Sequence, residues 1–359
     1  MEIRVGIHTA GEPRIRILPD GDNMVENMLI GKDFHWQQVI SARLSGRVEI
    51  CGSQLVNILP LERYLESVVG SEMNPDAPKE FLKAHAIISR SWAVGKILGC
   101  HPAGEEGKVS TSGELIGWDD TSQHTGYHVC SDDHCQRYQG RQPVASEALE
   151  AIRGTADTVI LDSQGNVVDA RFSKCCGGRT ELFSTCWQNR DITGLSSFED
   201  PWCDLRGLSS LERERVLRGV LKDYDLSTGG GYRWRSSITK DEVRKNLREK
   251  FGRDIGAILA LHPVSRGASG RLSIMRIEGE RGDLLLGKEL WIRRLLSPTH
   301  LYSSAIEISE EGEKFEIEGK GWGHGVGLCQ IGAARMALEG ATCEEILSFY
   351  YPGTHLGGI

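Results

Sequence analysis

The sequence predicts an α+β protein of mixed, mostly antiparallel strands with a few helices, and three observations carry that prediction. Residues 1–60 divide into short alternating apolar runs at 3–7, 14–18, 24–30, 48–50 and 55–59, punctuated by Gly, Pro and Asp. Residues 78–98 hold a long helical pattern: Phe81, Ala84, Ile88 and Trp92 recur near helical spacing, and Gly99 follows as a stop. Strand-like alternation then returns at 271–278 and 284–290, on the far side of a charged helical stretch at 239–251.

The intervening elements follow the same logic. Residues 100–140 read as loop and are rich in His, Cys and Asp. Residues 146–153 read as helix, and 157–172 as a hairpin turning at Ser163-Gln164-Gly165-Asn166. The Ser-Thr-Gly-Gly-Gly run at 227–231 reads as a flexible surface loop. A short helix at 330–338 follows a Gly-rich turn. The expected organisation is a β-rich segment, 1–50, packed on a core of 51–359.

Composition narrows the function classes. A hydrophobic content of 39% with 26% charged residues suits a packed core. Lys and Arg number 42 against 50 Asp and Glu, a formal net charge of −8, which disfavours nonspecific nucleic-acid binding. No apolar run reaches the twenty or so residues of a transmembrane helix. The first seven residues alternate like a strand and carry no signal-peptide apolar region. The ten cysteines are scattered, unlike a small disulfide scaffold, but they cluster at 130/135 and at 175/176/186/203, which suggests a metal site or one or two local bridges.

Glu72 stands between two helical stretches, in Val68-Val69-Gly70-Ser71-Glu72-Met73. A carboxyl group held there beside a cleft and partly desolvated suits general acid chemistry, because desolvation favours the protonated form. Taken alone it also fits a surface carboxylate favoured by a helix dipole. Its surroundings say more. Leu61-Glu62-Arg63-Tyr64-Leu65 precedes it, and Leu82-Lys83-Ala84-His85-Ala86 and Ser89-Arg90-Ser91-Trp92-Ala93 follow. The chain closes with Gly321-Trp322-Gly323-His324-Gly325-Val326-Gly327-Leu328-Cys329-Gln330-Ile331-Gly332-Ala333, then Tyr350-Tyr351-Pro352-Gly353-Thr354. These strings resemble the SpoIID/LytB family, the lytic transglycosylases of the stage II sporulation protein D type and their amidase-enhancer relatives.

The resemblance implies an α+β core around an active-site cleft and work outside the cytoplasm, at the cell envelope. The substrate it implies is peptidoglycan, cut between N-acetylmuramic acid and N-acetylglucosamine in peptide-free glycan strands. Glu72 is the implied single acid/base. Arg90, Ser91, His324 and Gln330 are candidate sugar contacts. For Arg90 a structural ion pair is the alternative; for His324 and Gln330 it is holding their own turn. Where the family has hydroxyl residues before its Gly-Gly-x-Thr, this chain has Ser173-Lys174-Cys175-Cys176, and pairing of those cysteines with Cys186 or Cys203 is one alternative.

His124, Cys130, His134 and Cys135 lie within twelve positions, and imidazole and thiolate are the usual zinc ligands. A Cys130–Cys135 disulfide is the alternative. Some family members bind zinc through a similar string, which implies His124, Cys130 and Cys135 as ligands of a structural or groove-shaping zinc. Two other functions compete: a glycan-binding enhancer of a peptidoglycan amidase, and a cysteine hydrolase using Cys329 with His324.

Overall fold

The computed structural model describes residues 1–32, 37–74, 77–99, 109–119, 124–132, 135–141, 146–221 and 231–359. It has the expected α+β character, with helices among mostly antiparallel sheets. The buried apolar side chains of these residues fall into two clusters.

The first cluster forms between a four-stranded sheet and the helices that follow it. Glu2–Ile7 pairs with Gln54–Pro60, which pairs with Arg47–Cys51; Val129–Cys130 adds in parallel on the other side. Period-two alternation turns Ile3, Val5 and Ile7 inward. Val25, Met28, Ala42 and Leu44 belong to the same cluster. The chain leaves Pro60 directly into helix α1 (Leu61–Glu72), whose Leu61, Tyr64, Leu65, Val68 and Val69 are buried. Pro60 suits that entry, since it precedes the first turn and has no N–H to strand. Helix α2 (Lys79–Leu98) is buried along most of its length, and Gly99 ends it at φ 66°, where a side chain would be strained. Around α2 pack α1, the helices Ser146–Gly154 and Cys343–Tyr350, and the strand Thr158–Leu161.

The second cluster is built by a five-stranded sheet (Ile258–Arg266, Leu272–Gly279, Gly282–Gly287, Glu114–Ile116, Val109–Ser110) and a three-stranded one (Arg233–Thr239, Lys314–Lys320, Ile306–Glu311). Helix Lys240–Phe251 packs on it, opened by a Thr239/Glu242 capping box. A buried carboxylate joins the lobes. Glu181 accepts hydrogen bonds from Ala268 N (2.9 Å), Ser269 N (3.1 Å) and Ser269 Oγ (2.6 Å).

Three details differ from expectation. Thr158–Leu161 pairs antiparallel with His355–Gly358, and only Leu161 bridges Val167, so the local turn forms without a full hairpin. The strand at 284–290 ends at Gly287, and Glu289–Leu295 is helical because Trp291, Ile292 and Leu295 bury one face. The strand Gln38–Leu44 has weaker alternation and was not anticipated. The loop expected at 227–231 lies outside the described residues except for Gly231.

Candidate active site

A cleft of about 1070 Å³ runs between the lobes. Its walls include Glu72, Trp92, His124, Cys135, Arg171 and Trp187 from one side, Trp291 and Arg293 from the other, and His324 and Gln330 from the closing signature.

Glu72 is the last residue of α1 and is 7% exposed. Its Oε1 accepts a hydrogen bond from Arg137 N at 3.2 Å. The segment carrying that N–H is gripped by the same helices. Tyr64 donates to Gln136 Oε1 (3.0 Å), Gln136 donates to Ser89 O (3.4 Å), and Gln139 N donates to Ser67 Oγ (3.2 Å). Tyr64 also stacks on Tyr138 with centroids 5.6 Å apart. The face of α1 that buries Tyr64 and Ser67 therefore also sets the donor to Glu72.

Two residues before Arg137 stands Cys135, one of a potential metal-binding set with His124 and Cys130, whose ligand atoms lie within 4.8 Å of one another. His124 Nε2 is 3.8 Å from Cys135 Sγ, and Nδ1 lies 3.2 Å from His128 O. That carbonyl contact places the proton on Nδ1 and leaves the Nε2 lone pair facing the thiols, the usual outer support of a metal-ligating histidine. Cys130 N–H points at Cys135 Sγ (3.4 Å). Ligand atoms at these spacings fit a tetrahedral ion, in which neighbours sit roughly 3.6–3.8 Å apart. No disulfide joins any described cysteine, so neither a Cys130–Cys135 bridge nor a bridge from Cys175 or Cys176 to Cys186 or Cys203 forms. His134 lies outside the described residues.

The closing signature supplies a further stretch of the wall. Val326 N donates to His324 Nδ1 at 3.0 Å, and the His324 ring meets Trp187 edge to face at 4.9 Å. Burial, then the charges of Arg171, Arg271 and Arg293, hold its imidazole well below the usual histidine range. The ring is neutral with its proton on Nε2. Gln330 is buried and its amide donates to His85 Nε2 (3.1 Å). Burial, then Lys174, pulls His85 down to about 3. Glycines of the closing signature allow close approaches within the protein. A Cβ on Gly325 (φ 77°) would meet the Arg271 guanidinium at 2.5 Å. Arg271 in turn donates to Gly323 O and Cys176 O.

Arg90 and Ser91 do not reach the cleft. Arg90 is fully buried; Nε and Nη2 each lie 2.8 Å from the Glu62 carboxylate, and the remaining donors go to Thr158 O and Ile152 O. Ser91 Oγ donates to Ile87 O and accepts from Ile160 N. The ion-pair alternative for Arg90 is the one the geometry takes, since its position faces the core side of α2. Cys329 is fully buried and absent from the cleft wall, which removes the Cys329–His324 hydrolase.

Sequence reading missed Arg171, Trp187 and Arg137. Arg171 is clamped by Asp169 (2.7 and 3.0 Å) and its guanidinium lies 4.3 Å from the Trp187 ring centre. Asp169-Ala170-Arg171 was the available signal, as an acid–base pair flanking a small residue, but nothing local distinguished it from a surface pair.

Residues 51–161 match the family model for stage II sporulation protein (SpoIID), and residues 181–327 match a domain of unknown function (DUF8618). Stage II sporulation protein D of Bacillus subtilis is 26% identical over 85% of this chain and 76% of its own length. An uncharacterized protein of Brachyspira hyodysenteriae is 24% identical over 84% of this chain and 68% of its own. The amidase enhancer of Bacillus subtilis is 24% identical over 81% of this chain, a region that spans 40% of that longer protein. Residues 51–161 thus match the stage II sporulation protein (SpoIID) family model, and over most of its length the chain is similar to stage II sporulation protein D and to the amidase enhancer.

Proposed function

We propose that this chain is a lytic transglycosylase acting at the cell envelope on peptide-free peptidoglycan strands, with Glu72 as its single general acid/base. The observation that carries the reading is the setting of Glu72: a carboxyl group almost out of water, fixed by a backbone N–H, on the wall of a long cleft between two lobes. The aromatic side chains of the cleft suit the apolar faces of sugar rings, and Arg171 suits their hydroxyl and carboxylate oxygens.

Glu72 first gives its proton to the glycosidic oxygen between N-acetylmuramic acid and N-acetylglucosamine. The bond from that oxygen to the muramic anomeric carbon breaks, and an oxocarbenium-like centre develops. The carboxylate then takes the proton of the same sugar's 6-hydroxyl as that oxygen closes onto the anomeric carbon. The products are a 1,6-anhydro end and a free N-acetylglucosamine end. Water is not consumed, so no second carboxylate is needed to activate it. Neutral His324 holds the Gly-rich turn between Val326 N and the Phe172 backbone and presents its ring edge to the cleft, and Gln330 holds the floor beside it.

His124, Cys130 and Cys135 would hold zinc. When bound it cross-links the 124–135 segment and so fixes the Arg137 N–H on Glu72; the transglycosylation itself uses no metal-activated nucleophile. The amidase-enhancer relative favours a second reading, in which the same cleft holds a glycan strand and stimulates a peptidoglycan amidase. Product chemistry separates them. Anhydro ends released by wild type and absent with Glu72→Gln support the first; intact strands with folded, zinc-loaded wild type overturn it.

A further inference from the structure

The mechanism leaves unused a second set of metal-binding side chains, none of which lines the cleft. Cys176, Asp200, Cys203 and Cys329 are each no more than 1% exposed, and their ligand atoms all lie within 4.8 Å of one another. We infer that these four residues form a structural zinc site, distinct from the His124 set, that ties three distant chain segments together beneath the closing signature.

The dimensions fit one small tetrahedral ion. Cys176 Sγ is 3.4 Å from Cys203 Sγ and 3.2 Å from Asp200 Oδ2. Zn–S bonds of about 2.3 Å and Zn–O bonds of about 2.0 Å put neighbouring ligands roughly 3.5–3.8 Å apart. Sulfurs this close leave no room for an iron–sulfur cage between them. Three thiolates and one carboxylate around a divalent ion carry the same net charge as an ordinary four-thiolate zinc site, and soft, fully buried ligands select zinc over magnesium or calcium.

The surroundings are those of a ligand set. The hydrogen-bond partners of Asp200 are Trp202 N on Oδ1 (3.0 Å) and, on Oδ2, Tyr350 Oη (3.0 Å) and Cys176 Sγ; none is cationic. A buried carboxylate without a cation is costly. Cys176 N–H points at Cys329 Sγ at 3.3 Å, as backbone donors do around metal thiolates. Gly332 sits in the helix Gln330–Leu338, where glycine is otherwise unfavourable; a Cβ there would strike Tyr350 Oη at 2.2 Å and Asp200 Oδ2 at 2.8 Å. A fourth thiol, Cys175, lies 4.0 Å from Cys203 Sγ but outside the mutual set.

The site joins the 175–176 turn, the short 3₁₀ turn Pro201–Cys203 and Cys329, the cap of the helix that begins with Gln330. Cys175 and Trp322 exchange both backbone hydrogen bonds (3.0 and 2.7 Å), so the ion also anchors the Gly-rich turn that carries His324. It acts as a clamp on one cleft wall.

The test is zinc stoichiometry of the full chain purified under reducing conditions without added metal. Wild type should carry two equivalents. A His124→Ala/Cys130→Ser/Cys135→Ser variant should retain one, and Cys176→Ser/Cys203→Ser should lose one. Should the latter fail to fold, the first variant still decides. Loaded with Co²⁺, it should show tetrahedral bands with the thiolate charge-transfer intensity of three sulfurs. No zinc in that variant before or after reconstitution, or a Cys176–Cys203 disulfide in the freshly purified protein, overturns the inference. None of these readouts depends on glycan cleavage, so the site and the transglycosylase reading fail separately.

Discussion

Replacing Glu62 with Ala tests whether Arg90 serves the fold or the substrate. The Arg90 guanidinium is fully buried and takes two 2.8 Å bonds from its nitrogens to the Glu62 carboxylate, which is 39% exposed. Glu62→Ala leaves a buried positive charge with only the Thr158 and Ile152 carbonyls as acceptors. Breaking a buried pair from one side costs about 3–5 kcal/mol, and the partial exposure of Glu62 puts this case at about 3 kcal/mol. With roughly 2.1 cal/mol/K of unfolding entropy per residue over 359 residues, that energy corresponds to a Tm lower by about 4 °C. The assay pairs thermal unfolding by circular dichroism with product release well below Tm. Cleavage per folded molecule should match wild type. An unchanged Tm with a several-fold higher KM would refute the structural assignment and return Arg90 to the substrate.

Three more predictions follow from the same geometry. Cys135→Ser should remove one zinc equivalent and lower cleavage about 10–100-fold, because the ligand loop carries the Arg137 N–H that holds Glu72; full activity without that zinc would separate the two. Gly325→Ala should cost about 2 kcal/mol or more and reduce cleavage, since its Cβ meets Arg271 at a positive φ; a neutral effect on urea unfolding would contradict the packing. The contribution of the two buried histidines to stability should be lost as pH falls below about 6.5. His85 and His324 are buried neutral, so below about pH 6.5 the unfolded chain binds protons the fold does not, with a slope of up to about 1.4 kcal/mol per pH unit for each. For His85 that loss continues towards about pH 3, and equal denaturation midpoints at pH 7 and pH 5 would exclude it.

The legible parts of this chain were those written in local patterns. The alternation of 3–7 and the helical spacing of 78–98 recorded burial on one face, and both elements form nearly as read. Glu72 was singled out by the resemblance of the strings around it to the SpoIID/LytB family, since its local pattern alone also fits a surface carboxylate. Contacts across long sequence separations left no such trace. Arg90 and Glu62 are 28 positions apart, Glu72 and Arg137 65, and Cys176 and Cys329 153. The partner of Thr158–Leu161 is the last strand of the chain, which no local turn signal could announce. The cluster at 175/176/186/203 read as a metal site or a bridge, because a cysteine count does not distinguish the two; the nearby carboxylate of Asp200 and the glycine at 332 are what favour a ligand set.

The central claim is tested most directly by mass spectrometry of peptide-free glycan strands incubated with wild type and with Glu72→Gln. The account predicts 1,6-anhydro-muramic ends from wild type, and none above background from a variant that unfolds at the wild-type temperature. Reducing muramic ends, or normal turnover by folded Glu72→Gln, would contradict it.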